Sequence, residues 1–174
     1  MAIQVSGLTK NYGELTAVNL VSFDVRKGEI FGFLGPNGAG KTTTVRIITG
    51  VLKADKGEAL VMGHKAGTLK AKQISGVVPE MANAYVDLSG WMNMALMGEI
   101  YGAPKNAIKY RSEELLKKVN LYPRKDQPVR TYSKGMKQRL ILCMALISDP
   151  KILFLDEPTA FLVSRLCCGK GSSF

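Results

Sequence analysis

One histidine, His64, and three cysteines, Cys143, Cys167 and Cys168, are the whole supply of imidazole and thiol in this chain. No two cysteines stand in a C-x-x-C pair. A zinc module and a disulfide framework are therefore excluded, and a reducing compartment fits. Aromatic residues make up only 7%, too sparse for the stacked aromatic–basic grooves that hold single-stranded nucleic acid. Long apolar runs are missing too. The longest, Leu140–Ile147, has eight residues, against about 20 for a membrane-spanning helix. The first ten residues, MAIQVSGLTK, hold no signal-peptide core, and Gly171-Ser172-Ser173-Phe174 is not a prenylation signal. These absences together lead us to expect a cytoplasmic chain, unless a partner holds it at a membrane.

What is present suits a globular domain. The chain has 174 residues, 46% of them apolar and 22% charged, enough length for a sizeable core. Its net charge is +10. Such an excess attracts phosphate, whether on a nucleotide, a nucleic acid or an anionic membrane face, or is simply a solvated basic surface. The lysines and arginines are scattered with no long unbroken run, so no nucleic-acid partner is expected.

Alternation predicts strands over Ile3–Leu8 and Ala17–Val25, with a turn at Asn11-Tyr12-Gly13 between them. Ile30–Leu34 reads as a short buried strand leading into a glycine-rich loop, and Thr42–Thr49 as the helix that follows. Gly57–Met62 and Ile74–Val78 are further strand candidates. From about Tyr85 the character turns helical. Trp91, Met94, Ala95 and Gly98 share one face, Pro104 breaks that helix, and Ala107–Val119 forms another with Ile108, Leu115 and Val119 on one stripe. Ser133 can cap a third helix running to about Ser148, which Asp149-Pro150 ends, and Ile152–Leu155 is a last buried strand. Strands at both ends around an all-helical middle predict an α/β core carrying a helical insert over about residues 85–148.

Three motifs carry chemistry. Gly35-Pro36-Asn37-Gly38-Ala39-Gly40-Lys41-Thr42 fits the phosphate-binding pattern G-x-x-x-x-G-K-[ST]. Its glycines let successive backbone N–H groups turn inward on phosphate oxygens, and the helix N-terminus adds partial positive charge. Lys41 would reach the β- and γ-phosphates, the Thr42 hydroxyl would ligate Mg²⁺, and Thr43 would lie by the α-phosphate. Ile152-Leu153-Phe154-Leu155-Asp156-Glu157-Pro158 is a buried strand that ends in two carboxylates. Asp156 can hold the Mg²⁺ shell, and Glu157 can orient or deprotonate an attacking water. Tyr132-Ser133-Lys134-Gly135-Met136-Lys137-Gln138-Arg139 is a serine-capped basic helix start, with a glycine that allows a phosphate to approach. Taken alone, the last two would be an ordinary strand end and an ordinary capped helix.

Their order decides between these readings. Phosphate loop, helical insert, Y-S-K-G-M-K-Q-R and Asp-Glu strand in succession resemble the ABC ATPases over residues 3 to about 160. The resemblance implies an α/β fold: a P-loop NTPase core with an N-terminal antiparallel β subdomain and a helical insert. It gives Tyr12 the role of the aromatic that stacks on adenine. Glu80, in Pro79-Glu80, falls where the family usually has the glutamine of its Q-loop, and its carboxylate can still reach the metal or the water. Ser133 and Gly135 of one subunit would cap the γ-phosphate held by Lys41 of another, so a second ATP-binding subunit is implied. Membrane-spanning transporter subunits are implied as well. The Y-S-K-G-M-K-Q-R and V-P-E variants look like the exporter branch. Met81, Met92, Met94 and Met97 would suit a joint with the membrane partner, or plain core packing.

After Pro158-Thr159-Ala160 the pattern stops. Phe161 stands where the family has glycine, Val163 replaces its aspartate, and no histidine follows His64. The expectation is a single incomplete ATP-binding domain over 1–174, with an atypical tail at 161–174 and the C-terminal strands missing. Such a chain is expected to bind MgATP weakly and to turn it over slowly or not at all. Two other readings stay open: an ABC ATPase that works on ribosomes, DNA or iron–sulfur assembly, and a fragment that only binds nucleotide.

Overall fold

The computed structural model describes residues 1–79 and 84–156. It divides into two compact units, one from Met1 to Ser75 and the other from Gly76 onward.

The first unit is built on strands β1 (Ile3–Tyr12) and β2 (Leu15–Val25), followed by helix α1 (Lys41–Ile48), strands β3 (Lys56–Val61) and β4 (His64–Lys65), and the short helix α2 (Leu69–Gln73). The strands form one antiparallel sheet in the order β2-β1-β3-β4. Period-two alternation sends Ile3, Val5, Val25, Ala59 and Val61 inward. Ile47 and Ile48 of α1 are buried in the same unit. The ladder runs as far as Tyr12 opposite Leu15, so the turn is Gly13-Glu14, one step beyond the expected Asn11-Tyr12-Gly13. Gly13 supplies the positive φ of 59° that this two-residue connection needs.

The expected buried strand at Ile30–Leu34 is not formed. Residues 29–36 lie outside every element, and Ile30 and Leu34 are 101% and 94% exposed. An apolar run becomes a strand only when neighbours take up its backbone hydrogen bonds. None of the described strands pairs with this one. Phe31 and Phe33 instead turn their rings onto Phe23 of β2, with centroids 5.1 and 5.5 Å away.

The second unit holds β5 (Ser75–Val78, whose first residue closes the first unit), helices α3 (Gly90–Ile100), α4 (Lys105–Lys118) and α5 (Lys134–Leu146), and β6 (Ile152–Leu155). β5 and β6 pair as a two-stranded sheet. The helical start expected near Tyr85 comes at Gly90, where the Ser89 hydroxyl caps α3 by accepting from Met92 N–H. Met94, Leu116, Leu121, Leu140 and Cys143 form the centre of the helical core, the methionine and leucines each contributing about 1.5–3 kcal/mol by burial. Burial also pushes the Cys143 thiol up to about 12, so it stays protonated and packs as a small apolar group. Gly98 lets α3 meet α4 closely, because a Cβ there would lie 2.6 Å from Ile108 Cγ1. Met94 and Met97 belong to this core, while Met92 is 54% exposed. Packing therefore accounts for two of the four methionines. Met81 lies outside the described residues.

Candidate functional site

The phosphate loop belongs to the first unit. Gly35, Pro36, Asn37, Gly38 and Ala39 are all exposed. Gly40 sits at the N-cap of α1 in a left-handed conformation, φ 79° and ψ 10°, and no side chain caps the helix. The first turn carries no acidic residue. The first backbone–backbone bond of α1 runs from Thr44 N–H to Gly40 O at 2.8 Å, and the Thr44 hydroxyl donates to the same carbonyl. An uncapped helix start with no acidic residue in its first turn presents N–H groups and positive dipole outward, the arrangement that receives an anion.

Lys41 closes the loop. Its ammonium donates to Gly35 O at 2.8 Å and to Pro36 O at 2.7 Å. The charge is thereby held on the loop it serves, and the loop is braced against its own helix. Thr42 and Thr43, both half-buried, follow in the first turn.

Tyr12 stands at the tip of the β1–β2 hairpin, 49% exposed. Its cross-strand partner Leu15 lies two residues before Ala17, and the backbone of Ala17 abuts Gly40. With a rise of about 3.4 Å per residue and about 5 Å between strands, Tyr12 lies roughly 8 Å from Ala17, the residue that abuts the loop's last glycine. A clamp steadies this tip. Asp55 accepts from Lys10 Nζ at 2.8 Å and from Asn11 N–H at 2.7 Å. These bonds, with Lys10 first, hold the Asp55 carboxyl below the usual range. Lys10 Nζ also lies 5.8 Å from the centre of the Tyr12 ring.

The second unit carries the other motifs. Asp156 follows the last residue of β6, is buried at 9% exposure, and donates its N–H to Val78 O of β5 at 2.9 Å. Ser133 is the N-cap of α5, and its hydroxyl oxygen accepts from Met136 N–H at 3.3 Å. The hydroxyl hydrogen is still able to donate outward, since one oxygen both accepts and donates. Gly135 has an ordinary helical φ, and a Cβ built on it would meet nothing within 4 Å. No local packing asks for glycine there, although glycine weakens a helix by about 0.5–1 kcal/mol relative to alanine. Arg139 steadies the helix from the side, donating to Gly135 O and, at 2.8 Å, to Val119 O beyond the end of α4. Glu80 and Glu157 lie outside the described residues.

Comparison with known proteins follows the same outline. The family model described as "ABC transporter" matches residues 18–160. The chain belongs to the ABC transporter family. It is 41% identical over 159 residues to the linearmycin resistance ATP-binding protein of Bacillus subtilis, covering 90% of this chain and 51% of that protein. It is 41% identical over 162 residues to the Nod factor export ATP-binding protein of Ralstonia nicotianae, covering 92% and 50%. It is 39% identical over 172 residues to the doxorubicin resistance ATP-binding protein of Mycobacterium tuberculosis, covering 95% and 51%. The chain thus spans about half the length of the curated relatives it matches. A solved structure of an ATP-binding subunit of an ABC transporter superposes with a TM-score of 0.83 at 26% identity, over 95% of this chain and 72% of that one. The cbiO1 protein of Clostridium perfringens, part of an ABC transporter complex, superposes with a TM-score of 0.75 at 27% identity, over 91% and 66%. The ABC α/β fold expected from the motifs is therefore present, with its antiparallel β sheet and its helices. Among the described residues no helix is long and apolar enough to cross a membrane.

Sequence reading missed two features of this chain: the Asp55 clamp behind Tyr12 and a wholly buried asparagine, Asn93. The clamp joins residues 44 positions apart and leaves no local signal. Asn93 did leave one. It is the single side-chain amide in Gly90–Ile100, an otherwise largely apolar helix.

Proposed function

We propose that this chain is the ATP-binding part of an ABC transporter of the exporter type, binding ATP with Mg²⁺ and, in the whole protein, hydrolysing it to drive transport. The observation that carries the reading is the uncapped start of α1, with no acidic residue in its first turn and the Lys41 ammonium held across the loop before it. The names of the relatives, two for drug resistance and one for export, support the exporter branch. Tyr12 stacks on the adenine. Residues 35–43 cradle the phosphates, and Lys41 neutralises them. The candidate metal ligands are Thr42, Asp156 and Glu80. A hydroxyl and two carboxylates, with no thiolate or imidazole, suit a hard cation such as Mg²⁺. That ion, bound with the nucleotide, offsets charge on the phosphate oxygens. Glu157 orients the attacking water. Ser133 and Gly135 face the nucleotide of a second ATP-binding subunit, and both subunits work at the cytoplasmic face of the membrane against membrane-spanning partners.

Adenine recognition is tested at Tyr12. Tyr12→Ala is expected to weaken binding of a fluorescent ATP analogue by about 1–3 kcal/mol, the scale of base–aromatic stacking. Tyr12→Phe keeps the ring face and should lose little. Equal losses in both variants would point to the hydroxyl and sink the stacking role.

Gly135 separates stability from function. Gly135→Ala is expected to raise resistance to urea by about 0.5–1 kcal/mol, because the position is helical and open. In the whole protein the same methyl stands where a neighbour's phosphate approaches, so nucleotide-dependent dimerisation and turnover should fall. A variant that gains stability and keeps full turnover would show that Gly135 meets no partner.

A further inference from the structure

Asn93 is fully buried, and its side chain makes four hydrogen bonds. Its Oδ1 accepts from Tyr85 N–H at 2.8 Å. Its Nδ2 donates to Tyr85 O at 3.0 Å and Ser89 O at 2.9 Å, with Leu88 O at 3.5 Å. One amide thus holds both ends of the loop from Tyr85 to Ser89. That loop is itself paired with the segment entering α5. Val129 N–H donates to Leu88 O at 2.9 Å, and Arg130 N–H donates to Val86 O at 2.8 Å. Trp91 N–H donates to Lys125 O at 2.8 Å, and the Tyr132 hydroxyl donates to Arg124 O at 2.7 Å. The Tyr132 ring closes the same joint, since a Cβ on Gly90 would lie 2.5 Å from its hydroxyl. The next residue is Ser133.

We propose that Asn93 is a positioning residue for nucleotide turnover: it locks the 85–89 loop, and through that loop's carbonyls it aims Ser133 and Gly135 at the start of α5. The proposal rests on the reading of Ser133 and Gly135 as nucleotide-facing groups. A buried amide with partners on both its oxygen and its nitrogen admits one loop geometry. Removing it takes the side-chain acceptor from Tyr85 N–H and the side-chain donor from the Tyr85, Leu88 and Ser89 carbonyls, and frees the α5 entry to shift. Lys41 and Tyr12 lie in the other unit and make none of these bonds.

The experiment compares Asn93→Ala and Asn93→Asp with the parent in the full-length protein. Asp keeps the acceptor for Tyr85 N–H but loses the donor that holds the carbonyls. Both variants are expected to speed hydrogen exchange at the Val129 and Arg130 amides about tenfold and to lower kcat about tenfold, the scale of one buried hydrogen bond. Affinity for a fluorescent ATP analogue, and KM for MgATP, should stay within about twofold, as for independent sites. Unchanged exchange or unchanged kcat would overturn the proposal. So would equal acceleration of exchange at Leu140 and the rest of the helical core, which marks mere loss of stability. Where a variant does not fold, the parent decides: the amides of Tyr85, Val129 and Arg130 must then open together as one unit, and independent opening overturns the clasp. A Lys41→Ala control that binds ATP as well as the parent would remove the nucleotide reading, while the exchange data would still judge the clasp by itself.

Discussion

Lys41→Ala is expected to abolish binding of a fluorescent ATP analogue. Two effects act together. The first is lost charge: an ammonium contributes about 1.5–3 kcal/mol for each hydrogen bond to a charged partner. Two such bonds to phosphate oxygens correspond to a loss of roughly a hundredfold or more in affinity. The second is lost bracing, since the same ammonium now holds Gly35 O and Pro36 O against the start of α1. Lys41→Arg separates them. It keeps the charge, but a planar guanidinium cannot reproduce the compact ammonium's fit between two carbonyls 5 and 6 residues away. Arg should therefore bind measurably but weakly. Thermal stability should change little in either variant, because the residue is half-exposed. Retention of parental affinity by the alanine variant would refute the phosphate-cradle reading.

Gly40→Ala should be the most damaging single-methyl change in the phosphate loop. Two independent penalties fall on this residue. Its φ of 79° lies in the left-handed region, which costs a residue with a Cβ about 1–2 kcal/mol. The added Cβ would also sit 2.2 Å from Ala17 O and 3.2 Å from Val18 Cγ2. The first of these is backbone of β2, which has no rotamer to change. Helix α1 would have to move off the hairpin, taking Lys41 and Thr42 with it. Loss of more than about 2 kcal/mol in urea unfolding is expected, together with loss of nucleotide binding. Gly38→Ala is the control. Its φ is 82°, but a Cβ there meets nothing within 4 Å, so only the conformational cost of about 1–2 kcal/mol remains. Equal destabilisation by the two variants would refute the close-approach argument.

Most of the fold was legible because most of its signals are local. The hairpin, α1, β3, α4 and β6 were read to within a few residues from alternation, periodicity and breakers. Ser133 was read as the cap of α5, and its hydroxyl makes that bond. The misreading at Ile30–Leu34 has a clear cause. A buried strand and an unpaired apolar segment have the same composition, and only a hydrogen-bonded neighbour tells them apart. The short elements β4 and α2 were missed for a related reason, since two and five residues carry no periodicity to count.

The sequence by itself determined which chemical groups this chain owns and in what order. The phosphate loop, the Y-S-K-G-M-K-Q-R helix start and the Asp-Glu strand end are runs of adjacent residues, and they identify the family without coordinates. Tertiary structure alone decided how those groups are held. It set Gly40 against Ala17 O, tied Asp55 to Lys10 and Asn11 behind Tyr12, and placed Asn93 at the centre of the 85–89 loop beneath the entry to α5. Each of these contacts joins residues brought together by strand pairing, helix packing or the closing of a loop. A motif records what a site is made of, whereas its geometry is fixed by close approaches and hydrogen bonds that exist only once the chain has folded back on itself.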